Sequence, residues 1–151
     1  MCFAFVLGNT KAVGKISNPV FSKIATIDFG NLAATNNKIF KKTFPVSIIG
    51  IRYQSTTTQA ANDTNFITIG IINKSTDGTG VNVVVDNTLA VNSTKATGGV
   101  NANAFVANKA TVITTGSVNI LAANESLSIT VTVGGTINLA NLVLFVDYVD
   151  A

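Results

Sequence analysis

Apolar and polar residues alternate with period two along much of this chain, the pattern of strands with one buried face. The clearest stretch is Ser126–Val133: Leu127, Ile129, Val131 and Val133 share one face, and Ser126, Ser128, Thr130 and Thr132 share the other. Asn65–Ile72 repeats the logic with Ile67, Ile69 and Ile71, and Val81–Val85 places Val81, Val83 and Val85 together. Phe21–Phe29 aligns Phe21, Ala25, Ile27 and Phe29, with Lys23 as the exception. Val46–Tyr53 is apolar on both faces for part of its length, Ile48 opposing Ile49 and Ile51, and Ser117–Leu121 is a shorter candidate. Leu142–Val149 differs in kind. Leu142, Leu144, Val146 and Tyr148 form one apolar face; Val143, Phe145 and Val149 make the other apolar as well, interrupted by Asp147. A strand apolar on both sides is covered on both sides, and in a small antiparallel protein a second subunit is the expected second cover.

Turn signals separate these runs: Asp77-Gly78-Thr79-Gly80, Gly98-Gly99, Thr115-Gly116-Ser117, Ala123-Asn124-Glu125 and Gly134-Gly135. Asp-Gly between two alternating runs marks a hairpin. Leu32–Lys41 is the one stretch with room for a helical turn, but Asn36 and Asn37 inside it oppose a helix. Many short strands and no amphipathic helical segment predict an all-β antiparallel sandwich or barrel. No repeat of fixed period and no dividing linker interrupts it.

Composition sharpens this picture. Of 151 residues, 11% are charged, against about 25% in an average soluble domain. Thr and Asn, 20 and 18 residues, take their place, and 47% of the chain is hydrophobic. Disorder has the reverse balance. A mean hydropathy of +0.45 implies a large core or apolar surface covered by a partner. The apolar start, Met1–Leu7, is short and has no basic segment ahead of it; Lys11 and Lys15 follow it. It reads as a short strand or docking arm rather than a secretory signal. No apolar run approaches the ~18–20 residues that span a bilayer, so no membrane partner is expected. The four Asn-x-Ser/Thr triplets, at Asn62, Asn73, Asn92 and Asn124, are no more than this composition produces by chance.

The net charge of +3 is uneven. Residues 1–52 carry seven basic side chains and one acid, Asp28; residues 53–151 carry three basic and six acidic ones. Such polarity orients a protein on a charged partner.

Histidine is absent, and Cys2 is the lone cysteine. A disulfide scaffold, a zinc site and histidine-based acid–base catalysis are therefore excluded. Cys2 has no base beside it and reads as an inert thiol. Asp63, Asp77, Asp86 and Glu125 fall in or near loops, where a glycosidase-type carboxylate pair could converge, but Asp63 and Asp77 stand in turn contexts. Hydroxyl nucleophiles lack a G-x-S-x-G elbow or S-x-x-K motif. Gly78-Thr79-Gly80 lacks the phosphate-loop frame. No calcium-loop frame occurs. No catalysis, cofactor or metal is expected.

Lys38, Lys41, Lys42 and Arg52, with Phe40 and Phe44 interleaved, form a candidate basic patch. Single-strand binders pair such grooves with aromatic platforms, yet lysines also guard ordinary sheet edges. An acidic protein surface is the expected partner rather than nucleic acid. Sugar platforms use Trp or Tyr; Trp is absent, and Tyr53 and Tyr148 lie in apolar strands.

Ala25–Ala34, reading ATIDFGNLAA, followed by Thr43-Phe44-Pro45-Val46, resembles the opening of small β-sandwich proteins from tailed-phage particles. Leu121–Val133, a Gly-Gly turn and Leu142–Val149 are similar to the last two strands of trimeric jelly-roll domains in phage head fibres, head-decoration proteins and tail tips. The resemblance covers most of residues 20–150. It implies a jelly-roll-like antiparallel sandwich of about eight strands that forms a homotrimer and attaches through its N-terminal part. On this basis residues 1–19 are an arm or docking strand and residues 20–151 the sandwich. The resemblance brings no catalytic residues. No coiled coil or long fibre segment precedes the sandwich in this sequence, which favours a compact decoration or short spike. The expectation is a structural virion protein, assembled in the host cytoplasm. Lys11, Lys15, Lys38, Lys41 and Lys42 would dock on the major capsid protein or another virion protein, and Val143, Phe145 and Val149 would line the subunit interface. The alternative is a receptor- or glycan-binding tail or fibre module of the same fold.

Overall fold

The computed structural model describes residues 22–86, 93–95, 105–113, 120–137 and 139–151. Nine strands occur among them: β1 (Lys23–Leu32), β2 (Asn36–Lys41), β3 (Val46–Gln54), β4 (Phe66–Asn73), β5 (Asn82–Val85), β6 (Thr111–Val112), β7 (Ile120–Leu121), β8 (Ser126–Gly134) and β9 (Leu139–Asp150). They form two antiparallel sheets, one ordered β1-β9-β3-β6 with β7 also on β3, the other β2-β8-β4-β5.

The pairing is nested. Lys23 faces Tyr148, Asn36 faces Val131, Val46 faces Leu121, Arg52 faces Val112, and Asn73 faces Asn82. The chain is thus one long hairpin, folded about the turn after β4 and rolled so that β9 also meets β3 and β8 also meets β4. That order is the double-sheet jelly roll. The expected count of about eight strands is the main path; the ninth, β7, is a two-residue addition.

Alternation dictates the inner faces. Leu127, Ile129 and Val131 of β8, Ile67, Ile69 and Ile71 of β4, and Leu142, Leu144 and Val146 of β9 are buried to 1% exposure or less. Each such side chain contributes roughly 1.5–3 kcal/mol of transfer free energy. The hairpin turn holds Asp77, whose carboxylate accepts the Thr79 N–H at 3.0 Å and the Thr79 hydroxyl at 2.9 Å. Those bonds, the backbone one foremost, hold the carboxyl below its ordinary range.

Three strands depart from the simple pattern. β2 forms across Asn36–Lys41, a stretch with little strand propensity, because β8 offers it a regular partner along its whole length. In β5 the expected face of Val81, Val83 and Val85 is broken. Ile71 faces Val85 and Ile72 faces Val83, so Val84 is an extra residue; Val84 and Val85 are both buried while Val81 and Val83 are exposed. In β3 a register shift between Ile48 and Gly50 lets Ile48 and Ile51 both turn inward and pushes Ile49 out. The Phe21 end of the first predicted strand and most of Ser117–Leu121 lie outside the described residues.

Tyr53 stacks on Phe105 with ring centroids 3.7 Å apart. Its hydroxyl is buried; Thr111 lies near it, but no group meets hydrogen-bond geometry. Burial pushes this phenol up to about 12. An unsatisfied buried hydroxyl costs about 1–3 kcal/mol, so Tyr53→Phe is expected to stabilise the fold by about 1 kcal/mol in urea titration. The raised phenol also sets an alkaline limit. The unfolded chain ionises near its ordinary value of 10 and the folded one only near 12, so this group's contribution is intact below pH 10 and is lost as pH climbs toward 12. The Phe variant should lack that part of the alkaline decline.

Candidate assembly and docking surfaces

The outward face of the β1-β9-β3-β6 sheet is built around β9, flanked on both sides. Phe145 faces Thr26 of β1 and Arg52 of β3; Val143 faces Asp28 and Gln54; Asp147 faces Ile24 and Gly50; Val149 faces Ser47. Val143, Phe145 and Val149 are half-buried. Around them Ile24, Ile49 and Val112 are 58%, 56% and 69% exposed. Val143 and Phe145 also line a shallow cleft of about 270 Å³ with Gln54 and Asn141. The second apolar face of β9 is real, and nothing in the chain seals it among the described residues.

Asp147, the polar interruption of that face, is neutralised in place. Arg52 Nε donates to its Oδ2 at 2.9 Å and Nη2 to its Oδ1 at 2.8 Å. The same guanidinium lies 5.5 Å from the Phe145 ring centroid, a cation–π arrangement. The hydrogen bond to Asp147, reinforced by its charge, holds Arg52 above its ordinary value despite partial burial. Gly50 makes room: a Cβ there would meet Asp147 Oδ2 at 3.3 Å. Lys23 and Asp150 form a second pair at 2.6 Å, in solvent. Within this face Arg52 and Asp147 are thus matched, while Asp28, exposed opposite Val143, has no ion pair among the described residues.

Arg52 does not join Lys38, Lys41 and Lys42 in one patch. It lies on the opposite sheet, committed to Asp147, whereas Lys38 and Lys41 lie on β2. Lys41 projects into solvent, Lys38 is half-buried on the inward side of the strand, and Lys42 Nζ sits 5.5 Å and 4.8 Å from the Phe40 and Tyr148 rings. Phe40 is buried at 5% and offers no stacking platform to a nucleobase. Phe44 is partly exposed with Lys23 Nζ 5.4 Å from its ring. Both tyrosines are core residues. Lys11, Lys15 and the arm of residues 1–19 lie outside the described residues.

Two of the loop carboxylates, Glu125 and Asp77, do structural work. Glu125 accepts the Asn73 Nδ2 and Ala122 N–H, each at 2.9 Å, and clamps the loop before β8. Asp77 belongs to its turn. Among the described residues no group of three or more acidic or thiol side chains is arranged to hold a metal, and no helix is long and apolar enough to cross a membrane.

Val143, Phe145 and Val149 stand out in the sequence, whereas Ile24 and Val112, on edge strands, and the Arg52–Asp147 pair do not. The two partners are 95 positions apart, and no local signal connects them.

No family model and no curated protein matches the chain. Among solved structures, a chain from the infectious bursal disease virus Gx strain structure superposes on it with a TM-score of 0.36 and 12% identity. The match covers 83% of this chain and 32% of that one, so this chain spans about a third of the other's length.

Proposed function

We propose that this chain is a non-catalytic structural protein of a tailed-phage virion, a capsid decoration or short head fibre, and that it assembles as a homotrimer. The observation that carries this reading is the unsealed apolar face of β9, with Phe145 at its centre and Ile24, Ile49 and Val112 around it. Exposed apolar side chains gathered on one sheet face mark interaction surfaces. A second copy is the fitting cover, because the charges at the centre of the face are matched, Arg52 by Asp147, with Asp28 on the edge strand left in solvent. A cyclic arrangement would close such contacts and remove the free surface. The jelly-roll order supports the reading only as a fold used in capsids among other roles. The sequence resemblance supplies the phage context, and the basic β2 region the docking side.

Native mass spectrometry of the purified chain tests this. A trimer at micromolar concentration is the expected result. A monomer across that range, with no shift on concentration, overturns the assembly reading.

A further inference from the structure

We infer that β2 is an open docking edge that accepts an extended acidic segment of another virion protein as an added strand. The inference rests on the docking part of the preceding proposal and names its partner's chemistry.

Among the described strands each sheet has two edges, and three of the four are blunted. β6 has two residues and β5 four, and the pairing of β5 is broken by a register shift at Ile71/Ile72. β1 is long, but its register slips between Asp28 and Gly30 and again between Gly30 and Leu32, and Gly30 has a φ of 61°. Bulges of this kind twist an edge away from pairing. β2 differs. Its six residues pair with β8 in unbroken register, from Asn36 with Val131 to Lys41 with Ser126. Such a strand is roughly 20 Å long, and about half of its backbone N–H and C=O groups point away from β8. No other strand pairs with it among the described residues.

The one guard on this edge is charge. Lys38 and Lys41 lie on it and Lys42 follows it. Neither Lys38 nor Lys41 has an ion-pair partner among the described residues. The nearby Glu125 is held by Asn73 and Ala122 N–H. Edge lysines repel a second copy of the same edge, which prevents fibre growth. The same lysines attract a strand of opposite sign. Ile39, 71% exposed between them, gives the added strand an apolar contact on the outer face. Main-chain bonds would supply affinity and the lysines selectivity, the logic of strand addition.

The test uses the full chain and two acetylated heptapeptides, Thr-Glu-Glu-Thr-Glu-Glu-Thr and Thr-Lys-Lys-Thr-Lys-Lys-Thr, which carry charge on both faces because Lys38 and Lys41 lie on opposite faces of β2, followed by amide hydrogen exchange in NMR. The expected result is that the Glu peptide slows exchange of the outward amides within Asn36–Lys41 by roughly tenfold or more, and the Lys peptide does not. Lys38→Glu/Lys41→Glu should reverse that preference while the β8 amides stay protected, which shows that the fold is intact. Binding of the Glu peptide without new protection in β2, protection on β1 instead, or no binding of the Glu peptide at millimolar concentration overturns the inference. None of these outcomes alters the native mass, so a failure here is separable from a failure of trimer assembly.

Discussion

Phe145→Asp is expected to give a folded monomer where the wild type, on the proposed assembly, runs as a trimer. Phe145 points outward from the central strand of its sheet, between Thr26 and Arg52, so in a single subunit the new carboxylate remains in water at small cost. In the assembly each copy would bury an extra negative charge beside Asp147. The effective penalty for desolvating an uncompensated ion is several kcal/mol, enough to dissolve a micromolar complex. The expected readout is a shift from trimer to monomer in native mass with an unchanged far-UV spectrum and a cooperative melt. Val143→Ser, a milder change on the same face, should weaken the trimer without abolishing it. A trimer that survives both substitutions would place the interface elsewhere.

Gly135→Ala is expected to be the most damaging single-methyl change, by about 3–4 kcal/mol. Two costs add. Gly135 has a φ of 66°, where a side chain costs roughly 1–2 kcal/mol. The added Cβ would also collide with the Thr64 carbonyl oxygen and with Asn65 Oδ1, and that Asn65 oxygen already accepts the Thr136 N–H at 2.9 Å. Backbone cannot swing aside as a flexible side-chain tip does. Gly30→Ala is the control, because its φ of 61° is similar and nothing lies within 4 Å of the new methyl. It should show only the conformational cost. At about 2–4 °C per kcal/mol for a domain of this size, the melting temperature should fall by a few degrees for Gly30→Ala and by roughly 10 °C for Gly135→Ala.

How much of this was legible in the sequence depended on regularity. β8 and β4 were plain because each residue keeps strict alternation and each partner is in register. β5 misled because its bulge inserts Val84, and a period-two reading cannot see an extra residue supplied by the partner strand's geometry. β2 was invisible to propensity: Asn36, Asn37 and Lys38 favour no strand, and tertiary pairing alone places them. The face around Phe145 was half legible. Its apolar character on β9 could be read from Val143, Phe145 and Val149. Its charge matching could not, since Arg52 and Asp147 meet only after the hairpin is rolled. The Lys38–Lys42 cluster was legible as charge, but its grouping with Arg52 failed because the two sit on opposite sheets.

The nested hairpin would tie the proposed assembly to the completion of folding. The innermost pair, β4 with β5, closes over a short turn, whereas β1 and β9 meet across the longest separation, Lys23 with Tyr148. Contacts between distant residues carry the greatest loop-closure cost and form slowly. β9 must be seated between β1 and β3 before its outward row exists as a flat surface. A subunit still rolling up therefore presents no finished patch for another to recognise. In the proposed assembly recruitment would wait for the last strand, so incomplete chains would be kept out by geometry alone.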